Sequence, residues 1–315
     1  MLRYMKELKY SNEGLREIGV YSLFITMLVI GILGGILTGM MSVGGGLILI
    51  FLLLFIPPFL GYSFTMHEIA GMVIIQTIFS GSSGLYSYWK RRLINTFLIK
   101  YMGLSSFIGG FIGVMLSELL SHNQLLAIFA ALSLVATITM FFKPKPVEGE
   151  PYENKSLAIV LGLGIGVLGG MFGLGAGFLY MPIMLILYRI QTKHAVGTGL
   201  ALAILLCLGA LFGKVTDLSV PWQAGTFLAL GAIPGAQLGS YLGQRMKTES
   251  LRRLMAISVA IVSVKIWIDL LQELGVSPSL SWTFFLIIGV FISAIVQVYQ
   301  YNTNKKQKEI KQQKF

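Results

Sequence analysis

Charge is what this 315-residue chain lacks most: Asp, Glu, Lys and Arg make up only 12% of it, about half the share usual in a soluble domain. Apolar residues make up 55%, and the mean hydropathy is +0.79. A surface of that composition cannot face water all round, which excludes soluble enzymes and soluble binding modules. Cysteine occurs once, at Cys207, so no disulfide can form within the chain. Its place in an apolar run suits a small buried hydrophobe. The 3 histidines and 13 acids never take metal-ligand spacing, and no cofactor is implied. No Ser/His/Asp set or carboxylate pair is visible, so the chain reads as a non-enzyme. No Gly-Lys-Ser/Thr follows Gly44-Gly45-Gly46, which excludes a nucleotide-binding loop there.

The charges that remain are mostly positive, giving a net +11. They sit in the N-terminal stretch, in short loops and in the tail at Lys305, Lys306, Lys308, Lys311 and Lys314. Lys and Arg beside a membrane follow that pattern. Nucleic acid is not an expected partner, because no basic patch alternates with exposed aromatics. The partners implied are a lipid bilayer and a small solute, and a homo-oligomer is compatible with both.

A membrane span needs about 20 mostly apolar residues. Candidates lie at 20–57, 67–89, 94–117, 123–142, 156–188, 194–214, 221–242, 253–271 and 281–300. Segments 20–57 and 156–188 are too long for one crossing. Each holds glycines at its middle, Gly44-Gly45-Gly46 in one and Gly173, Gly175 and Gly177 in the other, and glycine clusters weaken a helix. Both read as a helix, an unwound turn and a second, shorter helix.

The proline- and charge-rich stretch 143–155 divides two related halves. With Gly31 set on Gly162, the residues Gly35, Leu37, Gly39, Met40, Gly44 and Gly46 fall on Gly166, Leu168, Gly170, Met171, Gly175 and Gly177. His67 and His194 each open the next span, and Gly109 and Gly113 lie on Gly235 and Gly239. The organisation expected is a polar segment at 1–18, a first transmembrane repeat at 19–142, the linker, a second repeat at 156–271, a further span at 281–300 and a basic tail at 301–315. The fold class is all-α, a polytopic transmembrane bundle of two homologous repeats with broken, glycine-rich helices.

Lys90-Arg91-Arg92, the Arg245–Arg253 region and the tail belong on the cytoplasmic side, while loops 58–66, 118–122 and 272–280 carry no Lys or Arg. That assignment makes 156–188 a hairpin that enters and leaves on one side. If 20–57 does likewise, the repeats are inverted. Inversion places the N-terminus outside, although Arg3, Lys6, Lys9 and Arg16 favour the inside. The location implied is a bacterial or archaeal plasma membrane, multi-pass, with a cytoplasmic C-terminus.

Unwound backbone inside a membrane survives only where protein or a watery cavity supplies partners. A half-helix that begins there points free N–H groups into the cavity, with the positive end of its dipole. Candidate substrate-binding residues are therefore Ser42, Gly44, Gly45 and Gly46 in the first half and Gly173, Gly175 and Gly177 in the second. Facing one another, the two starts would make a compact anion cradle. The alternative is that these glycines only allow tight helix crossing. Gln76, Thr198 and Gln237 add uncharged donors, which suit a small oxyanion that must also be released. Single Ser and Thr residues in spans are expected to bond their own helix. Lys265 and Asp269 are spaced to pair, and Lys214 and Asp217 flank a loop, where solvent is expected.

The segments GILGGILTGMMSVGGGLILI and GVLGGMFGLGAGFLYMPIMLIL, with HAVGTGLA and LGAIPGAQLGSYLGQRM after them, resemble the sulfite exporter TauE/SafE family across nearly all of 20–271. Phe51 stands where Pro182 stands in the second half, a departure from the pattern. The resemblance implies a transporter of duplicated four-helix units that moves sulfite, sulfoacetate or other organosulfonates. A secondary transporter working by alternating access is the leading expectation. A passive anion channel and a non-transporting membrane subunit are the alternatives.

Overall fold

A computed structural model of the chain describes residues 2–42, 45–141, 153–173, 177–214 and 221–273. Gly44, Gly175, Asp217, the span at 281–300 and the basic tail lie outside the described residues, as do the side chains of Lys265 and Asp269. Two compact units divide at Ser263 and Val264. The second contributes only Val264–Glu273 to the described residues.

The described elements are helical. Helix α1 runs Leu2–Met41, α2 Gly45–Phe55, α3 Met66–Lys90 and α4 Thr96–Ser117. Helix α5 is His122–Phe141, α6 Lys155–Phe172, α7 Gly177–Pro182, α8 Thr192–Lys214, α9 Trp222–Arg245 and α10 Thr248–Glu273. A wider π-helical turn, Ile183–Leu187, prolongs α7 beyond Pro182, and another, Ile99–Gly103, lies within α4. Among the described residues, five stretches are long and apolar enough to cross a membrane: Tyr21–Met41, α3, α4, α6 and α8.

Local signals set several boundaries. Thr65 and Glu68 form a reciprocal cap on α3, with the Thr65 amide donating to the Glu68 carboxylate at 2.7 Å. Asn95 caps α4 and Asn154 caps α6, each accepting an amide three residues on.

The outside of the bundle is more apolar than its contacts. On α4, Leu104, Ile108, Phe111 and Met115 are exposed at helical spacing, while Ser105, Ser106, Gly109, Gly110, Gly113 and Ser117 are buried. Large apolar residues outside and small or hydroxylated ones inside are what lipid selects, because lipid gives apolar side chains no reason to hide. The chain is a multi-pass membrane protein.

Glycine decides which helices touch. A Cβ added at Gly31, Gly35 or Gly39 of α1 would strike the carbonyl of Leu228, Ala232 or Ala236 on α9. Gly231, Gly235, Gly239 and Gly243 of α9 meet α1 in the same way. Helix α4 meets α6 likewise, with Gly162 against Met102, Gly166 against Ser106 and Gly170 against Gly110. Residue numbers rise together in both contacts, so each pair runs parallel. Helix α3 crosses α8 in the opposite sense, since Gly81 meets Ile204 while Tyr88 meets Gly197. Helices from either side of the 143–155 stretch therefore interleave, and the compact units do not divide there.

Hydroxyls within the helices mostly bond their own backbone, as Thr38 to Gly34 and Ser82 to Ile78 do. Ser83 instead donates across to the Ile233 carbonyl at 2.9 Å. Lys214 corrects the expectation of a solvated side chain: it is buried, 1% exposed. The last turn of α8 is enclosed rather than frayed, with the adjacent Gly213 against Val114 of α4.

Candidate functional site

Helix α1 stops at Ser42, whose φ of 62° lies in the left-handed region. The Ser42 amide closes the helix on the Thr38 carbonyl at 2.6 Å. Helix α2 begins at Gly45. Ser42 is buried against Gly199 of α8, where a Cβ would strike its hydroxyl, and Met184 borders the same spot. The Ser42 hydroxyl has no hydrogen-bond partner among the described residues.

Helix α6 stops at Gly173 in the same conformation, with φ 63°. Its amide returns to the Gly170 carbonyl at 3.2 Å, and α7 begins at Gly177. Gly173 lies so close to α3 that a Cβ would strike the Ala70 carbonyl. The Cys207 thiol of α8 donates to the Gly173 carbonyl at 3.8 Å. The first bend thus meets α8 at Gly199 and the second at Cys207, eight residues on, or about 12 Å of helix rise.

Gln76 is fully buried on α3. Its Nε2 lies 3.6 Å from where a Cβ of Gly34 would be, a space that the Leu49 side chain of α2 fills. Among the described residues that Nε2 has no partner, and its Oε1 accepts a long bond from Thr77 at 3.4 Å. A buried amide left unpaired costs about 1–3 kcal/mol. Ser42 and Gln76 are thus two donors that the fold buries beside α1 and leaves unused.

The other sequence candidates are placed differently. Thr198 is fully buried, but its proton goes to the His194 carbonyl at 2.7 Å and its oxygen accepts the Asn95 amide at 2.8 Å. It anchors the turn into α4. Gln237 is exposed. Its neighbours Gly235 and Gly239 face α1, and a residue two positions from each points the opposite way. Gly45 and Gly177 each open a short helix, and Gly46 lies in the first turn of α2. Gln244, which the sequence did not mark, also buries an Nε2 without a partner. It lies at the rim beside Lys193, whose amine donates to the Gln244 carbonyl at 2.8 Å. Among the described residues, no three His, Cys, Asp or Glu side chains gather to hold a metal.

The family model described as "Sulfite exporter TauE/SafE" matches residues 27–266. The chain is 25% identical to the probable membrane transporter protein YunE of Bacillus subtilis, covering 77% of this chain and 97% of the relative. It is also 25% identical to the probable membrane transporter protein YjnA of the same organism, over 77% of this chain and 99% of the relative. An archaeal relative, the probable membrane transporter protein MJ0441 of Methanocaldococcus jannaschii, is 22% identical over 76% of the chain and 93% of its own length. No solved structure matches.

Proposed function

The chain belongs to the sulfite exporter TauE/SafE family, and from that membership we propose that it carries a small oxyanion, sulfite or an organosulfonate, across a cell membrane by alternating access. The observation that carries the reading is the pair of buried donors without partners, Ser42 Oγ and Gln76 Nε2. Gln76 Nε2 sits beside Gly34, eight residues or about 12 Å of helix rise before Ser42, so a passing solute would meet the two donors in succession. The first-turn amides of α2, at Gly45 and Gly46, add the positive end of an 11-residue helix. Donors without formal charge hold an anion loosely enough to release it. The broken segment supplies the site and the glycine-lined contacts supply the frame, so both roles of glycine operate.

Alternating access draws support from a duplicated, inverted architecture. In the register that lays Gly31 on Gly162, Ser42 falls on Gly173, and both end their helices in the left-handed conformation. With Gly109 laid on Gly235, the contact of Gly31 with Leu228 corresponds to that of Gly162 with Met102. Gly35 with Ala232 then corresponds to Gly166 with Ser106, and Gly39 with Ala236 to Gly170 with Gly110. Such an exchange is expected of two units related by a twofold axis. Helix α1 runs parallel to α3, since Gly34 meets Gln76 while Gly39 meets Gly84. Helix α4 turns back from α3 through a short loop and runs parallel to α6, so α1 and α6 have opposite senses. The basic ends of α3 and α9, at Lys90-Arg91-Arg92 and Arg245, then share the cytoplasmic side.

The test is counterflow with the purified chain in liposomes. Vesicles preloaded with unlabelled sulfite or a small sulfonate should accumulate the labelled solute, and vesicles without preload should not. Currents without exchange would favour the channel, and silence toward every small sulfur oxyanion would sink the reading. Ser42→Gly is expected to keep or raise stability, because glycine relieves a left-handed conformation that costs other residues about 1–2 kcal/mol. Counterflow should nevertheless fall, because the hydroxyl is gone. Thermal unfolding and initial exchange rates on the same preparation check both.

A further inference from the structure

Helices α2 and α7 follow the two bends and occupy matching places in the repeat register, yet their attachments differ. Tyr180, on α7, is fully buried. Its hydroxyl donates to Ser106 Oγ of α4 at 2.6 Å. The Ser106 proton has two acceptors in reach, the Met102 carbonyl of α4 at 2.6 Å and the Gly162 carbonyl of α6 at 2.9 Å. Helix α7 is thereby tied to two neighbouring helices through a short buried network. Inside a membrane no water stands ready to replace such a bond, so separating α7 leaves hydroxyls unpaired.

The register places Leu49 opposite Tyr180 and Ala232 opposite Ser106. Neither has a donor or acceptor in its side chain. The whole of α2 reads GGLILIFLLLF, so its side chains can make no hydrogen bond at all. Leu49 is fully buried against Gly34, where its contact is dispersion alone. Such contacts have no preferred direction and can slide. Two of the three unpartnered donors, Ser42 and Gln76, belong to the first half, and the positions that match them in the second are Gly173 and Ala203; the third, Gln244, lies in the second half.

Resting on the repeat reading above, we infer that the halves divide the work: Tyr180 is a positioning residue that fixes α7, and α2, with the donor-bearing bend at its start, is the arm that moves.

Hydrogen exchange of the full chain in lipid nanodiscs, read by mass spectrometry, tests this without any solute. Amides of α2 should exchange about tenfold faster than those of 177–187, since local opening energies follow the interactions that must break. Tyr180→Phe should raise exchange in 177–187 toward the α2 level and leave α2 unchanged. Ser106→Ala removes the same bond from the other side and should do likewise. A second readout is native: Cys207 adjoins the Gly173 carbonyl, so Tyr180→Phe should speed its labelling by N-ethylmaleimide several-fold. Equal exchange of the two arms in the wild type would overturn the inference. So would protection of 177–187 that survives both variants, or a uniform rise across both arms, which general loosening produces. The wild-type comparison stands even if a variant fails to accumulate. Unequal arms with no counterflow would sink the transport reading alone, and counterflow with equal arms would sink this one alone.

Discussion

Gln76→Leu is expected to abolish exchange while making the protein harder to unfold. The two effects have one cause. Gln76 Nε2 is buried and unpaired beside Gly34, and a buried amide without a partner costs about 1–3 kcal/mol. Leucine is close in size and has no polar atom, so the substitution removes that cost with little change in packing. The unfolding midpoint in detergent should rise by a few degrees. Initial counterflow rates should fall at least about tenfold, the equivalent of one lost hydrogen bond to a charged group. An ordinary core position would lose stability on substitution and could lose transport only as a consequence. A rise in stability with a fall in transport separates a binding residue from a structural one. Gln76→Leu with normal exchange would remove Gln76 from the site.

The second large effect is expected at the other bend. Gly173→Ala should leave almost no monodisperse protein after detergent extraction. Glycine at this position has φ 63°, which costs an L-residue about 1–2 kcal/mol. The added methyl also meets the Ala70 carbonyl, and a backbone atom in a packed helix cannot swing aside. Overpacking of that kind adds about 1–3 kcal/mol. Ser42 holds the matching conformation at the first bend without such a clash, so the two bends should respond oppositely, Ser42→Gly tolerated and Gly173→Ala not. Size-exclusion recovery of the two variants, expressed side by side, reads the contrast.

Much of the frame was legible in the sequence because glycine spacing encodes helix contact directly. The four-residue steps Gly31-Gly35-Gly39 and Gly235-Gly239 each mark one face of a helix, and those faces meet. Helices α1 and α6 end at Met41 and Phe172, beside the glycine clusters, whose residues 43–44 and 174–176 lie outside the described residues. The partners of those faces were not legible. Periodicity says that α1 has a close neighbour, but which helix supplies it depends on how the halves interleave. Gln237 could have been discounted from its phase alone, two positions from the glycines that face α1. Thr198 could not, because its acceptor role rests on the Asn95 amide, 103 residues away in sequence. Tyr180 lies within an otherwise apolar run, where a tyrosine passes for filler until Ser106 is seen 2.6 Å from its hydroxyl. A lysine at a helix end usually reaches solvent, and only the fold shows that the end of α8 at Lys214 is closed.

The central claim is that an anion is gripped by groups beside α1 that have no partner among the described residues. Its most direct measurement is the thermal midpoint of the purified chain, titrated with sulfite and with a small sulfonate and compared with Gln76→Leu. A ligand that binds only the folded state raises stability by about 2.7 kcal/mol at a hundred times its dissociation constant. The wild type should therefore shift upward in a saturable way, and the variant should start higher and shift little. Equal saturable shifts in both proteins, or none in the wild type with any sulfur oxyanion, would contradict the account.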